Sequence, residues 1–178
     1  MNPCCSKANL LAVSVFVICI FFLVSSCSKG DVEPKQASAD LAPTFALNDI
    51  GGAKIDLASY RGKVVVLDFF ATWCEPCRML APELKSFYDR HKGNGVVVIA
   101  VSIDEGPDAI KEVTSYRKEF GLTYPIVMDN GQVGRMFGVF SLPTTIIIDA
   151  DGRIRNKHLG IPDNYAKVLE AEISPLLK

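Results

Sequence analysis

Past Cys27 the chain has only two cysteines, Cys74 and Cys77, of six in the whole sequence. With no other thiols there, the segment lacks the disulfide framework that holds many small secreted scaffolds together. Beyond that pair and Cys27, the possible ligands of a structural zinc centre are two distant histidines, His91 and His158, and scattered carboxylates, which argues against such a centre. The formal net charge is −1 and no stretch concentrates lysine and arginine, which excludes nucleic acid as an expected partner. There is no repeat or low-complexity tract. The glycines of DNGQVGRMFG, Asp129 to Gly138, lack a phosphate-loop lysine at the required spacing and read as a turn and helix start.

What is present begins with the run Leu10 to Val24, apolar except for Ser14 and Cys19 and preceded by Lys7. Its fifteen residues fall short of the ~20 needed to cross a bilayer and match the core of a secretory signal. LVSSC, Leu23 to Cys27, resembles a bacterial lipobox, in which the cysteine is lipidated and becomes the mature amino terminus; an uncleaved anchor is the alternative. Either arrangement puts the remainder outside the cytoplasm. Three parts are therefore expected: a lipoprotein signal peptide at 1–26, lipidated Cys27 with a flexible tether at 27–42, and one folded domain at 43–178. The tether, SKGDVEPKQASADLA after the cysteine, has no aromatic residue and is rich in small and charged ones.

Within the domain, VVVLDFF (Val64 to Phe70) and VVVIAVSI (Val96 to Ile103) have the apolar, β-branched continuity of strands buried on both faces. Between them Leu80, Leu84 and Phe87 recur at helical spacing, so a helix runs from the cysteines to about Lys92, where GNG stops it. Strand, helix and strand predict a right-handed parallel unit. Further helices are expected at Pro107 to Phe120, around Gln132 to Phe137, and at Asn164 to Leu177 with Val168, Leu169, Ile173 and Leu176 inward. Thr144 to Leu159 reads as two strands joined at Asp151-Gly152, and FALNDIGGAKIDL as a hairpin turning at Gly51-Gly52. The fold class is α/β, a central mixed sheet with helices on both faces.

The cysteines stand in WCEPC, Trp73 to Cys77. A structural disulfide across so short a loop restricts the unfolded chain little, which favours a redox role. Cys74 falls where unpaired N–H groups and the helix dipole favour a thiolate, the nucleophilic form. Cys77, one turn on and inward, is placed to resolve a mixed disulfide. Pro76 sits in the first turn at no cost, whereas Pro82 removes a hydrogen bond to the carbonyl of Arg78 and should kink the helix.

WCEPC, Asp68 six residues before the first cysteine, Pro82 five after the second, and Pro143 in SLPTT together resemble the thioredoxin fold. The signal with its lipobox, the hairpin, the helical insertion at Pro107 to Phe120 and LPTTIIIDADGRI make the chain similar to membrane-tethered thioredoxins of the TlpA/ResA type. The resemblance covers about Leu41 to Leu177. It implies that Cys74 attacks and Cys77 resolves, with their disulfide as the redox group and no other cofactor. Leu142-Pro143 would carry the cis-proline beside which an extended substrate strand pairs, Trp73 would cover one side, and Asp68 would move a proton to or from Cys77. Glu75 matches the ResA-type dipeptide between the cysteines. One departure stands out: ResA-type proteins have a glutamate three residues after the second cysteine, where this chain has Leu80.

Each residue also has a plainer reading: Asp68 as a hydrogen-bonded strand carboxylate, Glu75 as a first-turn acid, Trp73 as packing, and the histidines as surface or cap residues. Among rival functions, copper delivery on this fold uses a longer cysteine spacing plus a histidine. Peroxiredoxin-type peroxidases need a threonine and a proline where Ala71 and Leu67 stand. Glu75 beside Cys74 disfavours a thiolate and so points to a reductant rather than an oxidant. The resemblance implies a monomer that draws electrons from a membrane donor and acts on protein thiol or disulfide clients. The family's usual client is apocytochrome c, and general extracytoplasmic thiol repair is the alternative.

Overall fold

VVVLDFF folds as a strand with all seven residues buried, and this strand is the middle of the sheet. A computed structural model describes residues 41–177. The expected signal peptide, Cys27 and most of the tether lie outside the described residues. In chain order the strands are β1 (Ala46–Asn48), β2 (Lys54–Asp56), β3 (Val64–Phe70), β4 (Val96–Ser102), β5 (Ile126–Met128), β6 (Thr144–Ile148) and β7 (Ile154–Leu159). The helices are α1 (Glu75–His91), α2 (Ala109–Glu119), α3 (Val133–Met136) and α4 (Tyr165–Ile173), with 3-10 turns at Leu57–Tyr60 and Ser174–Leu176. Five strands form a mixed sheet in the order β5-β4-β3-β6-β7, and β1 pairs with β2 in a separate hairpin.

The β3-α1-β4 unit is parallel, with Val64 level with Val96 and Phe70 with Ser102. On its other side β3 runs antiparallel to β6, which sets Asp68 directly opposite Thr145. Strand alternation divides the core. Val64, Val66 and Phe70 pack with Leu84 and Phe87 of α1, Val113 of α2, and Tyr165 and Leu169 of α4. Val65, Leu67 and Phe69 face Phe45, Ile55, Leu57, Val133 and Phe137. The helices are thus shared unevenly between the faces: α1, α2 and α4 cover one, and the hairpin with the four-residue α3 covers the other.

Several expectations need adjustment. The strand β5 went unread because it is three residues long and follows Pro125; it is recruited by pairing with β4 and by the Ile50 N–H donating to the Ile126 carbonyl (2.9 Å). The last helix is shorter than Asn164 to Leu177 and passes into a 3-10 turn at Ser174, with Pro175 behind it. Its inward face is Tyr165, Leu169 and Ile173, while Val168 and Leu176 are half-buried. Leu41 bridges Arg153 and the Ala42 N–H donates to the Gly152 carbonyl (2.9 Å), so the chain joins the fold two residues ahead of Pro43. α1 continues through Pro82 to His91.

The β6–β7 turn shows why its glycine is needed. Gly152 has φ +77°, a left-handed conformation, and its added Cβ would fall 0.9 Å from the Arg61 guanidinium.

Candidate active site

Cys74 caps α1. Its backbone is extended (φ −84°, ψ 106°) and its Sγ accepts the Cys77 N–H at 3.2 Å. Pro76 occupies the first turn, where an N–H would have no intrahelical partner. The two sulfurs form a disulfide, with the Cα atoms 5.3 Å apart. Both cysteines are buried, Cys74 at 6% exposure and Cys77 at 2%. Cys74 is therefore less open than an exposed helix start suggests, yet it alone of the pair lines the adjoining groove. When the bond is reduced, the helix-start N–H at Cys74 Sγ favours its thiolate over that of Cys77.

The groove encloses about 680 Å³ between the start of α1 and the segment leading into β6. Trp73, Glu75, Pro76 and Leu142 line it together with Cys74, and the Leu142-Pro143 peptide is cis. Trp73 is 70% exposed and so stands at the lip instead of packing into the core. Pro143 is buried, and its carbonyl accepts the Gly160 N–H at 2.8 Å.

Asp68 lies on the face of β3 that α1 covers, the face shared by Val66 and Phe70 and by both cysteines. It is buried, at 6% exposure, and burial raises its carboxyl from the ordinary 3.8 to about 7. The single opposing contact is the Thr145 hydroxyl, donating to Asp68 Oδ1 at 3.4 Å, and Thr145 Oγ1 is in turn 3.0 Å from the Tyr165 hydroxyl. Burial, with the Asp68 charge as the next cause, also holds the phenols of Tyr124 and Tyr165 well above their ordinary value. Unlike these phenols, Asp68 is suited to exchange a proton near neutrality.

Three other contacts were not anticipated. The Tyr116 hydroxyl donates to the Cys77 carbonyl at 3.1 Å, tying α2 to the dithiol turn. Arg78 pairs with Glu119, lies over the Phe120 ring at 5.1 Å and donates to the Thr72 carbonyl at 3.4 Å. Buried Asp104, just past β4, accepts the Thr72 N–H (3.0 Å), the Thr72 hydroxyl (2.5 Å) and the Ser102 hydroxyl (2.7 Å). It fastens the loop that leads into Trp73 and Cys74. An aspartate at the end of an otherwise apolar buried strand was the available signal, since such a group must find partners. Leu80, at the position of the ResA-type glutamate, is 1% exposed within the core. His91 and His158 approach Glu170 and Glu172 at 2.8 Å, and neither lines the groove.

The family model described as the AhpC/TSA family matches residues 39–157. A thiol-disulfide oxidoreductase ResA of Bacillus thuringiensis is 34% identical over 160 residues, spanning 86% of this chain and 90% of the relative. A ResA of Geobacillus thermodenitrificans is 39% identical over 120 residues, 67% of each chain. Among solved structures, a putative thiol:disulfide interchange protein DsbE from Chlorobium tepidum superposes with a TM-score of 0.72 at 31% identity, covering 79% of this chain and 97% of that one. StoA from Bacillus subtilis gives 0.64 at 26% identity, covering 74% and 96%. With a disulfide at the head of a helix, a family model matching residues 39–157 and ResA relatives covered over two thirds or more of their length, the chain belongs to the AhpC/TSA family, among the ResA-type thiol-disulfide oxidoreductases of thioredoxin-like fold.

Proposed function

We propose that this oxidoreductase works as an exported disulfide reductase, held to the outer face of a bacterial membrane through lipid on Cys27, and that it keeps apocytochrome c cysteines reduced for haem attachment. The observation that carries the exchange chemistry is the Cys74-Cys77 pair at the start of α1, with buried Asp68 on the same side of the sheet, and the reductive direction is supported by the acid Glu75 between the cysteines. In the working cycle the Cys74 thiolate attacks a client disulfide, forms the mixed disulfide and releases the first client sulfur as a thiolate. Asp68 takes the Cys77 proton. Cys77 then attacks Cys74 Sγ, expels the second client sulfur and re-forms the Cys74-Cys77 disulfide, so two electrons pass to the client. A membrane thiol donor must return those electrons, since the compartment is oxidising. Glu75 at the first helical position opposes thiolate formation at Cys74, which favours the reducing direction.

Leu80 supports a second reading, general thiol repair, because a strict ResA equivalent would have an acid there. Every chemical step is shared and only the client differs. A peroxidase is disfavoured because the positions that would hold its threonine and proline are Ala71 and Leu67, both buried and without a hydroxyl.

The cycle is tested by trapping. Cys77→Ser should accumulate a mixed disulfide with client protein on non-reducing gels, and Cys74→Ser should not. Equal trapping by both variants would rule out the assigned order of attack.

A further inference from the structure

The groove beside the disulfide has a second wall that the exchange chemistry does not use. Phe140 is 94% exposed, and it shares the groove with Trp73, itself 70% exposed. Phe140 belongs to no helix or strand, and its ring rests near Gly138, where an added Cβ would lie 3.8 Å from it. Single exposed aromatics are common, but two on the lips of one groove around a reactive sulfur form an apolar contact surface.

The groove's charges are also unbalanced. Glu75, Glu105, Asp129 and Arg135 all line it. The Asp129 carboxylate is engaged by the N–H groups of Val133 (2.9 Å) and Gly134 (3.0 Å) at the start of α3. Glu75 and Glu105 are exposed, without an ion pair among the described residues, and the lining includes one cation, Arg135.

We propose that Phe140 and Glu105 are specificity-determining residues, and that together they select a client segment with a large apolar side chain and a basic side chain next to its disulfide cysteine. The segment docks with its cysteine at Cys74, its apolar side chain covered by Phe140 and Trp73, and its cation against Glu105 and Glu75. This rests on the thiol-disulfide exchange assigned above and adds the chemistry of the client. Continuity with Cys74 fixes the occupant, since whatever exchanges there must lie in this groove.

The test uses pre-reduced protein and disulfide-linked peptide dimers of three kinds: leucine and lysine flanking the cysteine, alanine and lysine, and leucine and glutamate. Each turnover oxidises Cys74 and Cys77 to their disulfide and releases two peptide thiols. Wild type should favour the leucine-lysine dimer over the alanine-lysine dimer by about tenfold in the second-order rate constant of this single turnover, the effect of covering one apolar side-chain face. It should favour it over the leucine-glutamate dimer by about threefold, a preference that shrinks as salt is raised. Phe140→Ala should lower the first ratio several-fold, with Trp73 keeping the remainder, and Glu105→Gln should lower only the second. Equal rates for all three dimers with wild type, or a Phe140→Ala that slows them in parallel and leaves the ratios standing, would overturn the proposal. Because ratios are compared at one redox poise, the result does not depend on whether the couple acts as reductant in the cell.

Discussion

Asp68 is in tension between folding and chemistry. A carboxyl enclosed in the core with one long hydrogen bond is held near 7, and the shift from 3.8 corresponds to ~4 kcal/mol against its ionised form. The folded state therefore binds a proton that the unfolded state releases between about pH 4 and 7. The stabilising effect of that proton is fully present below pH 4 and is lost as pH rises through 7. Asp68→Asn should flatten this fall and make the domain more stable at pH 8, by up to ~4 kcal/mol in urea unfolding. A variant with unchanged pH dependence would show that the carboxyl is not enclosed as described. The same substitution removes the proton acceptor for Cys77. In stopped-flow reduction of a model disulfide it should slow resolution by roughly 10²-fold and leave attack by Cys74 in place. Unchanged resolution would return Asp68 to a purely structural role.

At the scale of elements, the loop between β3 and α1 is held more firmly than its length suggests. Asp104 accepts two hydrogen bonds from Thr72 and one from Ser102, all with a buried carboxylate. Asp104→Ala should cost on the order of 2 kcal/mol in stability and shift the fluorescence of Trp73, the only tryptophan, as its loop loosens. Asp104→Asn keeps an acceptor and should recover part of both. No change in Trp73 emission for either variant would mean that the loop is fixed by other contacts. The long elements here were readable because their periodicity is strong: β3 and β4 are continuous apolar runs, and α1 repeats Leu80, Leu84 and Phe87. Asp68 and the cysteines were legible as a pattern of spacings. Thr145 and Tyr165 were not, since their link to Asp68 comes from the register of β6 against β3 and from the packing of α4, which neither segment's local pattern encodes. β5 is three residues supported from both sides, and the uneven placement of helices follows from tertiary packing.

At the scale of the whole molecule, the redox domain is expected to work at the end of a tether. The thirteen residues from Ser28 to Asp40, between Cys27 and the start of the fold, could reach roughly 40 Å when extended, enough for an anchored domain to work close to a membrane. Among the described residues no helix is long and apolar enough to cross a bilayer. Under the proposed lipid anchor, Cys27→Ala should move the protein from the membrane to the soluble fraction or leave it unprocessed. An intact mass without lipid on the wild-type mature chain would remove the anchor from this scheme. Direction of electron flow is the property on which the proposed role depends, and it belongs to the couple as a whole. The Cys77 N–H at Cys74 Sγ favours a thiolate, whereas a negative charge on Glu75 opposes it, and no histidine stands between the cysteines to add a positive one. The decisive measurement is equilibration of the Cys74-Cys77 couple against glutathione buffers of graded ratio. A potential near the thioredoxin value of about −270 mV is the expected result, and one near the strong-oxidant value of about −120 mV would contradict the reductase assignment.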